Sequence, residues 1–227
     1  MADPRVAAIP VRECGERLVD VRRPGGAAAG RGGRGLLVDA RKQEGSDARF
    51  TLVREGVLHR LLRAEALLPD GLRLLFVEGY RPPWLQRRYF EEYAEQLRAL
   101  HPDRQDAEIH VAASRYVSPP DIAPHSAGAA VDLTLADADG RELDLGTRMN
   151  ADPEESRGAC YTGADTIGAE ARAHRTILGT ALTQAGLVNY PTEWWHWSYG
   201  DRYWALSSGA SSARYGPWEQ PSAAAGS

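Results

Sequence analysis

The chain has little cysteine and almost no lysine. Its 227 residues include two cysteines, Cys14 and Cys160, which are too few for a disulfide framework, so we expect free thiols. Lys42 is the only lysine, and the 31 acidic residues outnumber the 27 basic ones, which gives a net charge of -4. Because nucleic-acid binding generally requires a basic surface, we expect no nucleic-acid partner.

Long apolar runs are also missing. No stretch approaches the roughly 20 apolar residues that a membrane helix needs. The residues that follow Met1 do not form the apolar segment of a signal peptide. We therefore expect no membrane partner and a cytoplasmic location.

Three common hydrolase motifs are absent from the sequence. There is no His-Glu-x-x-His, no Gly-x-Ser-x-Gly and no Gly-x4-Gly-Lys-[Ser/Thr]. A thermolysin-like zinc helix, a serine hydrolase elbow and a phosphate-binding loop therefore lack support.

Two short elements of the sequence carry residues suited to metal chemistry. His125 and Asp132 are separated by six residues, and Glu193 precedes His196 by three positions. Two imidazoles and a carboxylate suit a zinc ion whose fourth position is left to water. Glu193 then remains for proton transfer, since zinc lowers the pKa of bound water toward about 7. Each residue alone is a weak signal, but together they predict a zinc site that hydrolyses an amide.

These elements, together with Glu78-Gly79-Tyr80-Arg81-Pro82, resemble the M15 metallopeptidases, which include VanX-type D-Ala-D-Ala dipeptidases and D,D-carboxypeptidases. The resemblance covers roughly positions 50 to 206. It implies one zinc ion per chain, a general base and an arginine that stabilises the tetrahedral intermediate. The implied zinc ligands are His125, Asp132 and His196, the implied base is Glu193 and the implied arginine is Arg81.

The resemblance also concerns the substrate. Tyr116 and Ser118 are implied as residues of the substrate pocket, and so is Asn150. VanX-type dipeptidases have an aspartate at the position of Asn150, where it holds the substrate ammonium. A neutral amide there loses a charge-assisted hydrogen bond, which weakens binding of the free dipeptide unless a nearby carboxylate compensates. The nearby carboxylates are Asp152, Glu154 and Glu155.

We expect a single α+β domain, a small and mainly antiparallel sheet flanked by helices, with zinc in an open cleft. Residues 36–206 are predicted to form the zinc peptidase domain. Residues 1–35 are predicted to be a partly flexible extension, with a Gly/Ala/Arg-rich loop over 24–35, and residues 207–227 a C-terminal tail.

The apolar spacing predicts the main elements of this domain. The predicted helices are 54–68, 84–100 and 165–185, and the predicted strands are 72–77, 130–135 and 193–199. Residues 102–124 are predicted to be mostly irregular, and the aromatic residues of 84–100 are expected in the core. Alternation along 130–135 turns Asp132 toward the cleft. A bend or bulge is expected between Glu193 and His196, because both must reach the metal.

The predicted function is zinc-dependent hydrolysis of a short peptide, of which a D-Ala-D-Ala dipeptide is the first choice. The alternative within the same class is a D,D-carboxypeptidase or a peptidase for a blocked or longer peptide, which Asn150 favours. A non-catalytic zinc-stabilised binding module is the alternative from another class. Glu193 and Arg81 argue against it, because a structural zinc site needs neither and fills its fourth position with a protein ligand.

Overall fold

The computed structural model describes residues 3–23, 35–42, 48–114 and 116–218, so residues 24–34 of the predicted flexible loop lie outside the described part. The helices are α1 (Pro4–Ala8), α2 (Glu55–Ala66), α3 (Pro83–Leu100), α4 (Asp106–Ala113), α5 (Ala169–Gln184) and α6 (Arg202–Ser208). The strands are β1 (Leu18–Asp20), β2 (Leu37–Val38), β3 (Leu52–Arg54), β4 (Arg73–Glu78), β5 (Ala130–Ala136), β6 (Val188–Asn189) and β7 (His196–Ser198).

The central sheet has five strands in the order β2-β4-β5-β7-β6. β2 pairs with β4 in parallel, and the other three pairings are antiparallel. β1 and β3 form a separate antiparallel pair. The prediction of a single α+β domain with a mainly antiparallel sheet is confirmed.

The apolar stripe of α2 explains why this segment is a helix packed on the core. Val57, Leu58 and Leu61 recur at helical spacing, and all three are buried. Burial of each such side chain stabilises the folded state by about 1.5–3 kcal/mol relative to leaving it exposed. α2 packs against α5, and every residue of β5 is buried, so β5 supports the site from the centre of the sheet.

A helix in the region predicted to be irregular is the main difference from the predicted elements. α4 begins with a capping box in which Gln105 and Glu108 bond each other's backbone N–H groups. Its buried residues Ile109 and Ala113 pack against Phe90 and Ala94 of α3. The prediction of mostly irregular structure over 102–124 is wrong in this segment, because tertiary packing supports a helix that has only two buried positions.

Two aromatic residues of α3 lie outside the core, contrary to expectation. Trp84 is 55% exposed and Tyr89 is 37% exposed, whereas Phe90 is buried. α3 buries only one of its faces, and Phe90 lies on that face while the neighbouring Tyr89 does not. Tyr89 is therefore free to line a surface cavity.

The predicted strand over 193–199 begins at His196 and not at Glu193. Glu193 lies in a turn, where its N–H donates to the carbonyl oxygen of Tyr190 at 2.9 Å. The N–H of His196 then donates to the carbonyl oxygen of Glu193 at 3.1 Å. The expected change of direction between the two residues is present, but a turn produces it.

Both terminal segments pack on the domain. β1 pairs with β3, and Val21 belongs to the hydrophobic core. Arg202 of α6 donates to the carbonyl oxygen of Ile9 at 2.8 Å, and Tyr215 is buried. Described residues on both sides of 36–206 therefore contribute to the packing of the domain. Among the described helices, none is long and apolar enough to cross a bilayer.

Candidate active site

Three neighbouring segments bring His125, Asp132 and His196 together. His125 begins a 3₁₀ turn that ends at Gly128, whose φ of 64° lies in the left-handed region. A side chain at Gly128 would also approach Leu18, because a Cβ there would lie 2.4 Å from its Cδ2. Asp132 of β5 pairs directly with His196 of β7, so the sheet register places two of the three side chains side by side.

The distances among the three side chains suit one small cation. Nδ1 of His196 lies 3.0 Å from Oδ1 of Asp132 and 3.2 Å from Nε2 of His125. Nε2 of His125 lies 3.5 Å from the same Asp132 oxygen. Ligands about 2.0–2.1 Å from a tetrahedral zinc ion are about 3.3 Å apart. The donor set and its spacing therefore fit zinc, and these three residues form a possible metal-binding group with every ligand buried.

Hydrogen bonding orients the His125 ring. Its Nδ1 lies 2.7 Å from the carbonyl oxygen of Gly79, which requires Nδ1 to carry the proton. The lone pair of Nε2 then points toward Asp132 and His196, as expected for a metal ligand held by a backbone acceptor. Nε2 of His196 has no hydrogen-bond partner among the described residues.

Burial and charge act in opposite directions at Asp132 and His196. Burial by itself disfavours the charged form of each group, but the neighbouring groups of opposite charge outweigh it. The charge and hydrogen bond of His125, followed by those of His196, lower the pKa of Asp132 well below its usual range. The hydrogen bond and charge of Asp132 raise the pKa of His196. The carboxylate is therefore kept ionised, as a metal ligand must be.

Glu193 lies beside this cluster. Its Oε2 is 3.9 Å from Nδ1 of His196. Burial raises the pKa of Glu193, and the charge of Asp132 raises it further, while the two histidines oppose the change. A carboxylate whose pKa is raised toward 7 is better suited to accept and return a proton near pH 7.

Arg81 follows β4 and is held by two side chains. Its Nε donates to Glu78 at 2.8 Å, and its Nη1 donates to Oε1 of Gln86 at 2.9 Å. Gln86 in turn donates to the carbonyl oxygen of Ser118 at 2.7 Å. The Nη2 group of Arg81 has no hydrogen-bond partner within the described part of the chain. A fixed guanidinium with one free amino group can donate to an incoming ligand.

A cavity of about 280 Å³, which we call the histidine cavity, opens over these groups. Its wall includes all eight residues predicted for the site: Arg81, Tyr116, Ser118, His125, Asp132, Asn150, Glu193 and His196. The wall also includes Gln86, Tyr89, Ser114 and Tyr190, which sequence reasoning did not select for the site. Gln86 could have been selected from the sequence, because it is a polar residue on the buried face of α3. For Tyr190, the sequence offers no indication other than its closeness to Glu193.

Two further residues that carry reactive groups lie apart from this cavity. Cys160 is a free thiol, as expected, and it is fully buried within the hydrophobic core. His174 of α5 hydrogen-bonds the carbonyl oxygen of Asp144 at 2.8 Å and is not part of the metal-binding group.

Comparisons of the sequence and of the fold relate the chain to known proteins. The M15 peptidase family model, described as D-Ala-D-Ala dipeptidase, matches residues 38–209. A D-alanyl-D-alanine dipeptidase of Synechocystis sp. is 29% identical over 226 residues, which cover 87% of each chain. The D-alanyl-D-alanine dipeptidase of Enterococcus faecium is 30% identical over 146 residues, 62% of this chain and 69% of the relative. A solved VanY D,D-pentapeptidase in complex with Zn(II) covers 76% of this chain and 78% of its own at 19% identity, but its TM-score of 0.37 is too low to support an argument.

Proposed function

The chain belongs to the M15 peptidase family, and from this premise we propose that it is a zinc-dependent peptidase that cleaves the bond between two D-alanine residues. The free D-Ala-D-Ala dipeptide is the first substrate to consider. The observation that carries the proposal is the spacing of 3.0–3.5 Å among the donor atoms of His125, Asp132 and His196, with Glu193 and Arg81 facing the same cavity.

We assign one zinc ion per chain to this site. Nε2 of His125, Oδ1 of Asp132 and Nδ1 of His196 are its ligands in the proposal. When bound, zinc supplies a Lewis acid that acidifies water and polarises a carbonyl group.

The chain's own residues would perform the proton transfers. Glu193 takes a proton from the attacking water as the new C–O bond forms, and it gives that proton to the leaving amine as the C–N bond breaks. The raised pKa of Glu193 supports this role, because the same group must act first as a base and then as an acid.

Arg81 is proposed to stabilise the oxyanion. As water adds, the carbonyl oxygen gains negative charge, and a donor fixed in advance stabilises that state more than the uncharged ground state. The hydrogen bonds from Arg81 to Glu78 and Gln86 support the assignment, since they hold the guanidinium before substrate arrives.

Asn150, Tyr116 and Ser118 are proposed to contact the substrate. The side-chain oxygen of Asn150 can accept a hydrogen bond from the amino group of the dipeptide, but a neutral acceptor holds an ammonium less strongly than a carboxylate does. Asn150 is therefore the observation that favours the second candidate, a D,D-carboxypeptidase or a peptidase for a blocked or longer peptide.

The test is release of D-alanine by the zinc-loaded protein. D-Ala-D-Ala, N-acetyl-D-Ala-D-Ala and L-Ala-L-Ala are compared, with Glu193→Ala as the inactive control. Turnover of the free dipeptide alone supports a dipeptidase, and turnover of the acetylated substrate supports the second candidate. If the zinc-bound protein hydrolyses neither D,D substrate, the non-catalytic zinc-stabilised module becomes the preferred interpretation. Full activity of Glu193→Ala would show that Glu193 is not the general base.

A further inference from the structure

Asp201 is a buried carboxylate that lies outside the wall of the histidine cavity. It is the N-cap of α6, where its Oδ1 accepts the N–H of Trp204 at 2.6 Å and the hydroxyl of Ser198 at 3.1 Å. Its Oδ2 is buried and has no hydrogen-bond partner among the described residues. A helix cap needs only one oxygen, which serine or asparagine also supplies. The cap therefore does not explain why a second, charged oxygen is buried here.

Strand β7 places this carboxyl group on the same face as His196. Side chains alternate along a strand, so His196 and Ser198 lie on one face of β7. The hydrogen bond from Ser198 holds Asp201 on that face. Gly200 allows the chain to turn back, because its φ of 79° lies in the left-handed region and a Cβ there would lie 2.5 Å from the Tyr215 ring. Asp201 is thus fixed behind a proposed zinc ligand.

Nε2 of His196 also lacks a hydrogen-bond partner within the described part of the chain, although it is buried. Burial raises the pKa of Asp201 to about 6, whereas the charge of His196 acts to lower it. Against the effect of burial, Asp132 raises the pKa of His196, and the charge of Asp201 adds to this rise. A ring nitrogen and a carboxylate oxygen, both buried and both without a partner, therefore lie within electrostatic reach of each other.

Zinc binding determines which ring nitrogen of His196 carries the proton. A neutral imidazole has one N–H, and the nitrogen that binds a metal cannot carry it. In the proposed site Nδ1 of His196 is the ligand, so Nε2 becomes a hydrogen-bond donor. A buried donor without an acceptor would destabilise the zinc-bound state. Oδ2 of Asp201 is an acceptor of the kind required, since the second N–H of a histidine ligand commonly donates to a carboxylate.

We propose that Asp201 is a positioning residue for the metal site, whose Oδ2 accepts the Nε2–H of His196 in the zinc-bound state and so holds the ring with Nδ1 toward the ion. This inference rests on the zinc site of the proposed function. Asp201 contacts neither substrate nor metal in this arrangement and acts through His196. The hydrogen bond fixes the orientation of the ring and makes the imidazole a stronger ligand.

The first test is the zinc affinity of Asp201→Asn, measured by competition with a chromophoric chelator. Asparagine keeps the size of the side chain and an oxygen for the Trp204 N–H, but it replaces Oδ2 by an amino group, which is a donor. We expect the dissociation constant for zinc to rise about 10–100-fold. Asp3→Asn makes the same change at the N-cap of α1 and is the matched control, with the affinity of the unaltered protein.

The stability of the protein in chelator separates a positioning role from a structural one. Asp201→Asn keeps the cap and removes a buried charge, so its melting temperature in chelator should be no lower than that of the unaltered protein. A residue that only supports the fold would lower this melting temperature and leave the zinc affinity of the folded protein unchanged, which would overturn the inference. Asp201→Ser keeps a capping oxygen and removes the acceptor, so it should show the same loss of affinity and serves as the test if Asp201→Asn does not fold.

Nuclear magnetic resonance of the histidine rings reports the proposed hydrogen bond itself. In the zinc-loaded protein, the Nε2–H of His196 should give an exchange-protected proton signal, which Asp201→Asn should shift or remove. Nδ1 of His125 donates to the carbonyl oxygen of Gly79 at 2.7 Å, so its proton provides a reference signal that stays the same in both proteins. An identical Nε2–H signal of His196 in the two proteins would overturn the inference.

Zinc affinity and D-alanine release separate failure of this inference from failure of the proposed function. Weaker zinc binding by Asp201→Asn, in a protein whose unaltered form binds zinc but hydrolyses neither D,D substrate, would keep the inference and reject the peptidase. Equal zinc affinities, in a protein that hydrolyses D-Ala-D-Ala, would overturn the inference and keep the peptidase.

Discussion

The backbone N–H of Trp218 donates to the carbonyl oxygen of Ser126 at 2.7 Å, so the C-terminal segment contacts the turn that begins with His125. Two neighbours strengthen the contact. The hydroxyl of Tyr80 donates to the carbonyl oxygen of Trp218 at 2.8 Å, and Nε of the buried Arg54 donates to that of Ala127 at 2.8 Å. The guanidinium of Arg54 also lies over the Trp218 ring, 4.7 Å from its centroid. Residues far from His125 in sequence therefore support this proposed metal ligand.

A chain that ends at Arg214 should bind zinc less tightly than the full chain. It loses the buried Tyr215 ring and both backbone contacts of Trp218, which should lower the free energy of unfolding by about 3–5 kcal/mol. Loss of support behind a metal ligand typically costs about 10–100-fold in affinity. A chain that ends at Trp218 keeps all these contacts and is the matched control. Competition with a chromophoric chelator, at a temperature where both chains are folded, measures the affinity, and equal values would contradict the coupling.

Arg81→Lys should lower kcat about 100-fold and leave the zinc content unchanged. An ammonium cannot reproduce the planar arrangement in which Nε contacts Glu78 and Nη1 contacts Gln86, so its charge is less well fixed toward the developing oxyanion. Steady-state kinetics and metal analysis check the two parts. Arg88→Lys, on the exposed face of α3, should behave as the unaltered protein. An unchanged kcat in Arg81→Lys would show that the Arg81 guanidinium does not stabilise the transition state.

Arg175→Leu should destabilise the domain by about 3 kcal/mol or more. The buried guanidinium donates to three carbonyl oxygens, those of Leu145, Tyr161 and Ala159, at 2.7–2.8 Å. Leucine leaves these acceptors without their donor, and each unsatisfied buried acceptor costs about 1–3 kcal/mol. Urea unfolding measures the difference, with the exposed Arg87→Leu as the control. A loss below about 1 kcal/mol would mean that water replaces the guanidinium.

The sequence allowed prediction of those parts of the fold that local patterns encode. β4, β5 and the long helices carry apolar residues at the spacing of a strand or a helix, and all lie within a few residues of their predicted bounds. α4 could not be found in this way, because its buried side chains, Ile109 and Ala113, make up too little of a periodic pattern. The metal-ligand candidates were found because their types and spacing are characteristic. Tyr190 reaches the cavity only through tertiary packing, so local patterns do not reveal it, whereas Gln86 could have been noticed as a polar residue on the buried face of α3.

Zinc removal should lower the melting temperature without unfolding the protein at 25 °C. His125, Asp132 and His196 come from segments that the sheet and the 3₁₀ turn already hold in place, so the fold does not depend on the ion as a zinc finger does. Free zinc at about 1,000 times its dissociation constant adds about 4 kcal/mol of stability. For a domain of this size, that corresponds to a rise of about 8–16 °C in melting temperature.

The matched control for this prediction is His125→Ala, which keeps the sheet and removes one ligand, so its melting temperature should respond little to zinc. Calorimetric melting of both proteins, with zinc and with a chelator, checks the comparison. Equal shifts in the two proteins would place the ion at another site. Complete unfolding of the unaltered chain by chelator would instead indicate a site that holds the fold together, which is the behaviour of a structural zinc module and not of a peptidase with a preformed cleft.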